Sequence, residues 1–513
     1  MIGPFGAVLG GLAAIGVPLF VIVGVATALC FVWFTPDHQT LFDLLPVTQN
    51  MEGLLTKQEF LAIPLFMAAG AVMTAGGIAK RLVDVAHAAL GWLPGGMAVA
   101  SVAACMFFAA ISGSSPVTLI AVGTIMLPAM VKAGYPDNFS IGLITSAGSL
   151  GCLVPPSIAM LIYSISLSGS PAAVSPEDLF LAGLVPALFI AGLLAAYSVW
   201  VGRHTTHRET FEWARLGAAL RDGSWALMLP IVVLGGIYGG LYTPSEAGAS
   251  AVAYALAVTF FIYREMTVKK LLTTLVEAVT LMGSLILIIV LAFGLNEFLA
   301  LIDIQERLMN LIRDMNLGPV GFMLLVNVLL IVIGALMDSI SCTLIFAPML
   351  APVAKELYGI DPLHFGVVFV VNMEIGYLAP PVATNLFVAA AVFKKPFGQV
   401  VRAVLPTLAI VCFALVVIMY VPTISKAAVN WKYDLALGQA FPWDGKPAEG
   451  ADEGDEAAAT GEGDEAPAQK KGPSGGIDLG KLTAKALDEV EEEEAAEEEA
   501  AENARNAGDA GAP

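Results

Sequence analysis

Of 513 residues, 57% are hydrophobic and only 13% charged, which excludes a string of soluble domains at about 45–50% and about 25%. The net charge of −19 belongs largely to one end: positions 445–513 hold 20 Asp/Glu against 6 Lys/Arg, leaving −5 for the first 444 residues. The chain has no Gly-Lys-Ser/Thr phosphate loop and no CxxC or Cys/His cluster, which argues against ATP hydrolysis and thiolate metal sites.

In chain order, the opening MIGPFGAVLGG lacks a basic n-region and a cleavage site, so the first span is expected to be retained. Apolar runs at 8–34, 97–111, 226–242, 281–295 and 404–421 reach or approach membrane length. About ten such segments, near the roughly 20 residues that cross hydrocarbon, predict a polytopic protein embedded in the lipid bilayer. The cysteines, Cys30, Cys105, Cys152, Cys342 and Cys412, all fall inside these runs and read as small buried hydrophobes.

The chain repeats itself. VLGG stands at 8–11 and 233–236, with Pro18 and Pro244 following. Arg81-Leu82 recurs as Arg307-Leu308, each Arg lying 31 positions before a polar break, at Ser112 and at Asp338. Pro155-Pro156 recurs as Pro380-Pro381. Five landmarks in one order, at offsets of 225 or 226, divide the chain into related halves. The expected division is 1–202, a basic connector 203–225, a second repeat 226–425, and a mostly disordered acidic tail 426–513. Each half reads as five spans plus one re-entrant hairpin, placed at about 112–135 and about 338–356. An odd span count inverts one half against the other. The fold class expected is an all-α membrane protein with an inverted two-fold repeat, two re-entrant hairpins and broken helices.

Basic residues set the expected orientation. This layout puts the Arg203–Arg221 connector, Lys132, Arg307, Arg313, Lys394, Lys395 and Arg402 on one side, taken as the cytoplasm, with both termini in the periplasm. The five histidines, His38, His87, His204, His207 and His364, form no ligand cluster. Glu246, after Thr243-Pro244-Ser245, reads as a capping residue.

Four breaks carry candidate chemistry. The run Ser112-Gly113-Ser114-Ser115-Pro116 interrupts an apolar span; it reads either as a helix-packing face or as backbone opened for a ligand. Pro155-Pro156 removes two donors and frees carbonyls between Gly151 and Val154, either a plain kink or a set of oxygens suited to a hard cation. In the second half Asp338 puts a carboxylate at membrane depth, where it is functional by default. Glu374 precedes Pro380-Pro381; it either faces an aqueous cavity or pairs with a partner the sequence does not identify. Because the breaks come as matched pairs, they point jointly to one central site.

These residues resemble the large membrane subunit of tripartite ATP-independent periplasmic (TRAP) transporters. The resemblance runs over nearly all of 1–425. It is carried by AIPLF at 62–66, GGIAKRLV at 76–83, ISGS at 111–114 and VPPSI at 154–158. In the second half it is carried by YTPSEA at 242–247 and by PPV with NLFV at 380–388. It implies an elevator-type Na+ symporter of the bacterial inner membrane for an organic acid: a C4-dicarboxylate, a 2-oxoacid or a sugar acid. It implies two partners, a small four-span membrane subunit and a periplasmic substrate-binding protein, and no nucleic acid. It places one Na+ at Ser112, Ser114, Gly151, Val154 and Pro156. The repeat places a second near Asp338, Gly376, Ala379 and Pro381. Substrate would be lined by Ser114 and Asp338, with Ser157, Thr384 and Asn385. Pro116 and Val117 depart from the small-residue run expected there, and the acidic tail has no family counterpart. The alternatives are a divalent-anion/Na+ symporter working without a binding protein and a membrane-embedded enzyme, for which no paired nucleophile and base are found.

Overall fold

The computed structural model describes residues 8, 11–12, 17, 19–34, 57–203, 210–380 and 383–433. The tail from 434, Pro381, His38, His204 and His207 lie outside the described residues. Among the described residues the secondary structure is helical throughout, with no strand. The first half contains α1 (Leu19–Phe34), α2 (Gln58–Ala75), α3 (Ile78–Leu90), α4 (Gly96–Ser112), α5 (Ser115–Lys132), α6 (Asp137–Ser149), α7 (Ile158–Ser166) and α8 (Pro176–Gly202). The second contains α9 (Trp213–Tyr238), α10 (Pro244–Ala257), α11 (Val268–Leu301), α12 (Ile304–Asp314), α13 (Pro319–Leu336), α14 (Ser339–Tyr358), α15 (Pro362–Leu378), α16 (Thr384–Phe393), α17 (Phe397–Tyr420) and α18 (Pro422–Lys432). Nine of the described helices are long and apolar enough to cross a membrane.

The halves are matched element by element. From α3–α8 to α12–α17 each helix start recurs 221 to 226 residues on, for example Ile78 to Ile304 and Ser115 to Ser339. The packing between halves is reciprocal: α5 lies on α16 as α14 lies on α7, and α6 lies on α17 as α15 lies on α8. Such an exchange is what a two-fold axis requires. Ser149 and Glu374 are 225 residues apart, the repeat offset, and are hydrogen-bonded at 2.8 Å. They are repeat mates meeting on the axis.

Each hairpin is larger than the sequence reading placed it. The segments 112–135 and 338–356 do not fold back on themselves; Ser115–Lys132 and Ser339–Tyr358 are single helices. The reversal takes place at the polar break, so the limbs are α4 with α5 and α13 with α14. Ser101 of α4 reaches Met130 of α5. Across the second hairpin the Tyr358 hydroxyl donates to the Leu317 carbonyl at 3.0 Å and its ring stacks on Phe322 at 4.6 Å. A polar break two residues long is enough to turn the chain, because Gly113 adopts φ +58 at little steric cost.

The hairpins enter from opposite ends. The 27-residue α8 spans about 40 Å. At its C-terminal end Gly202 sits against the backbone of Gly95, at the open end of hairpin 1. Near its N-terminal end Lys355 of hairpin 2 donates to the Pro171 carbonyl at 3.0 Å. The repeat is therefore inverted. This geometry also corrects the sidedness of two residues. Lys395 pairs with Asp137 at 2.5 Å, keeping Lys394, Lys395 and Lys132 at one end. Arg313 leads directly to Leu317, which Tyr358 ties to the opposite end, so Arg307 and Arg313 on α12 part from that group. The span count missed this because it did not invert the amphipathic helices α3 and α12 with the rest.

Two polar clusters tie the periphery down. Arg81 of α3 lies 3.3 Å from Asp222, 2.7 Å from Glu265 and 3.7 Å above the Tyr263 ring, joining α3 to α9 and to the π-turn Val258–Ile262. The short α18 is held by Lys426 on Asp361 and by Lys432 on Asp178 at 3.0 Å. Partial burial lowers the Lys432 pKa, but hydrogen bonds to Tyr433 and Asp178 outweigh it and hold the ammonium above its ordinary range. Glu246 is the capping residue expected, closing a reciprocal capping box with Thr243 at the start of α10.

Candidate functional site

Four helices begin at the chain breaks: α5 and α14 at the hairpin tips, α7 and α16 after the proline breaks. Their first N–H groups have no intrahelical partner and carry the positive end of the helix dipole.

At tip 1, Ser112 is buried and its Oγ lies 2.9 Å from Thr118 Oγ1. Thr118 in turn donates to the Ser114 carbonyl at 2.8 Å. Ser114 is the N-cap of α5, in extended conformation, and half-buried. The break after α6 comes up against this tip. A Cβ on Gly151 would stand 2.8 Å from Ser114 C and O and from Ser115 N. A Cβ on Gly113 would stand 2.3 Å from the Pro156 carbonyl oxygen, and Ile158 N donates to the Gly113 carbonyl at 3.1 Å. Ser112, Ser114, Gly151 and Pro156 thus meet in one place, and Val154 is buried beside them. Pro155 and Pro156 cannot supply N–H groups to the Gly151 and Cys152 carbonyls. The Ser157 hydroxyl replaces the second of these by donating to Cys152 O, and it also accepts from Met160 N as the N-cap of α7. Ser157 is therefore already engaged.

At tip 2, Asp338 is the N-cap of α14, its Oδ2 accepting from Ser341 N at 3.0 Å. Its Oδ1 is buried without a hydrogen-bond partner, as is Ser341 Oγ. Ser339 donates to the Tyr377 hydroxyl at 2.5 Å. A Cβ on Gly376 would stand 2.8–2.9 Å from the Gly334 backbone, so hairpin 2 and α15 approach as closely as hairpin 1 and the first break. Ala379 is extended and buried, just past the end of α15.

The two clusters are bridged across the axis. Asn385, wholly buried near the start of α16, donates to Ser115 Oγ at 2.6 Å, and its Oδ1 has no partner. Thr384 is half-buried next to it. Glu374 is wholly buried and pairs with Ser149, which settles its alternatives in favour of a partner. Thr118 and Gly334 were not singled out in the sequence. Thr118 had a signal, since it lies four residues after Ser114 and so on the same face of α5; Gly334 had none. Among the described residues no His, Cys, Asp or Glu cluster with metal-ligand spacing occurs, so any ion at this centre would rest on hydroxyl, carbonyl and single carboxylate oxygens.

The comparisons agree with this architecture. The family model described as "Tripartite ATP-independent periplasmic transporter, DctM component" matches residues 7–424. A protein of Pseudomonas aeruginosa named C4-dicarboxylate TRAP transporter large permease protein DctM is 40% identical over 80% of this chain and 94% of its own length. The protein of the same name from Vibrio cholerae is 38% identical over 83% of this chain and 96% of its own. The 2,3-diketo-L-gulonate TRAP transporter large permease protein YiaN of Escherichia coli is 32% identical over 83% and 98%. Among solved structures, the Alcanivorax borkumensis YdaH transporter aligns with a TM-score of 0.52 over 82% of this chain and 99% of its own, at 16% identity, a likeness of fold alone. The chain belongs to the DctM family of TRAP transporter large permeases, and is a multi-pass inner-membrane transporter subunit and not an enzyme.

Proposed function

We propose that this permease imports a small organic acid, a C4-dicarboxylate or a related 2-oxoacid or sugar acid, coupled to Na+. Relatives are named for C4-dicarboxylates, isethionate and 2,3-diketo-L-gulonate; all are small organic anions, and the first and last are carboxylates. The observation that carries the reading is the unpartnered Asp338 Oδ1 at the N-terminus of α14, in the place where the first repeat has its Ser112–Ser114 tip. A buried carboxylate oxygen with no donor is stabilised by a cation, and helix N-termini suit an anionic substrate. One Na+ is assigned to Ser112, Ser114, Gly151, Val154 and Pro156, and a second to Asp338, Gly376, Ala379 and Pro381. Substrate is assigned to Ser114, Asp338, Thr384 and Asn385, with Ser157 less available. Asp338 forms no ion pair among the described residues, so bound Na+ would offset both its charge and the substrate's.

In this reading hairpins and broken helices move as a unit, elevator-fashion, against a frame of α1, α2 and α9–α11. Exposed apolar residues on the frame, such as Ile231, Val276 and Val279, are available to lipid or to a small four-span membrane subunit. A periplasmic binding protein would deliver the substrate. The test is uptake of a panel of organic acids into proteoliposomes, with and without a Na+ gradient and the binding protein. Uptake should require both. Uptake indifferent to Na+ overturns the coupling; uptake without the binding protein favours a stand-alone symporter.

A further inference from the structure

Helix α14 contains two prolines, Pro348 and Pro352. Each lacks the N–H that would bond the carbonyl four residues earlier, so Leu344 O and Pro348 O are left without helical donors. Both receive a side-chain amide from outside the hairpin. Asn296 Nδ2 of α11 donates to Leu344 O at 2.6 Å, and Gln305 Nε2 of α12 donates to Pro348 O at 2.9 Å. The two acceptors are one turn apart on α14, about 6 Å along its axis. Asn296 and Gln305 thus bond hairpin 2 at the points where its own backbone is unsatisfied.

The first half lacks this arrangement. At the repeat offset of 226, Asn296 corresponds to Gly70 and Gln305 to Ala79. Gly70 instead packs against Ser112, where a Cβ would stand 3.2 Å from its Cα. At the offset of 224 that relates α14 to α5, Pro348 corresponds to Thr124, while Pro352 corresponds to Pro128. Both amides and the additional proline are features of the second half alone.

We propose that Asn296 and Gln305 are positioning residues. Through the two proline-freed carbonyls they hold α14 in register, and with it Asp338, six residues before Leu344; the Asn296 bond, made from the frame helix α11, breaks when the hairpin moves. That breaking step rests on the reading above that hairpin and frame move relative to one another.

The test is a rescue. Asn296→Leu removes the donor, and Pro348→Ala restores the helical N–H that makes it dispensable. Hydrogen exchange across 339–358 is followed on the purified full-length protein, alongside the Na+ dependence of uptake. Asn296→Leu should speed exchange and weaken apparent Na+ affinity, each roughly three- to tenfold, the equivalent of one net hydrogen bond. In the Pro348→Ala background the same substitution should change neither by more than about twofold. Gln305→Leu with Pro352→Ala is an independent pair and decides the matter if an Asn296 variant does not fold. Equal damage in both backgrounds, or unchanged exchange, overturns the proposal. Exchange needs neither substrate nor Na+, so a failure of Na+ coupling would leave the exchange result standing.

Discussion

Glu374 and Ser149 show a carboxyl at membrane depth held on one side only: Oε1 meets the Ser149 hydroxyl, while Oε2 is buried without a hydrogen-bond partner. The Ser149 hydroxyl lies 2.8 Å from Glu374 Oε1 and 2.7 Å from the Ser146 carbonyl. One O–H serves only one of these acceptors, so a donor on residue 374 completes the arrangement. Glutamine offers one in the same volume. Glu374→Gln should leave stability within about 1 kcal/mol of the parent, while Glu374→Ala opens a cavity in a fully buried site and should cost roughly 2–5 kcal/mol. Thermal unfolding in detergent reads both. Loss of uptake in a well-folded Glu374→Gln protein would instead mark the carboxylate itself as functional. The partner of Glu374 was present in the sequence in an unrecognised form. In a two-fold repeat, residues near the axis meet their own mates, and Ser149 is the mate of Glu374 at offset 225.

At the scale of elements, what the sequence made readable was where helices stop. Pro155-Pro156, the Ser112–Ser115 run and Asp338 each mark a helix boundary in the structure, because missing donors and polar side chains act locally. What it did not disclose was which helices pair. The sequence reading puts the hairpins after the polar breaks, whereas Gly113 and Asp338 are themselves at the tips and the limbs reach back to Gly96 and Pro319. Pro128, Pro348 and Pro352, residues that ordinarily break a helix, all lie inside continuous helices. The role of Asn296 is not legible in the sequence, because its acceptor is 48 residues away and exists only once α11 lies against α14. Close approach at the breaks gives a sharp prediction. Gly151→Ala would drive a Cβ into the Ser114–Ser115 backbone, forcing tip 1 away from the break. It should cost about 1–3 kcal/mol through overpacking and abolish uptake while the protein still folds. Gly192→Ala, within α8 and with no atom near its added Cβ, is the matched control and should retain full uptake.

For the whole molecule, the inverted packing separates the charged residues into two ends more sharply than the linear layout did. One end carries Lys80, Arg81, Lys132, Arg203, Arg215, Lys394 and Lys395, with Lys270 joined to it through the Ala75 carbonyl. The other carries Lys57, held by Ser168, with Lys355, Lys426 and Lys432, and Arg307 and Arg313 move there with α12. The first end is the more basic, and basic residues near spans stay on the cytoplasmic side. Hairpin 1 should then open toward the cytoplasm and hairpin 2 toward the periplasm, with residue 433 leaving α18 on the periplasmic side beside Asp178. Single cysteines test this once the five native ones are replaced, four of which are buried and one half-buried. Ser168→Cys should react with a membrane-impermeant maleimide in intact spheroplasts. Gly217→Cys, at the exposed start of α9, should react only after permeabilisation. The opposite pattern would turn the whole assembly over and place the mouth of hairpin 1 on the side from which a binding protein delivers.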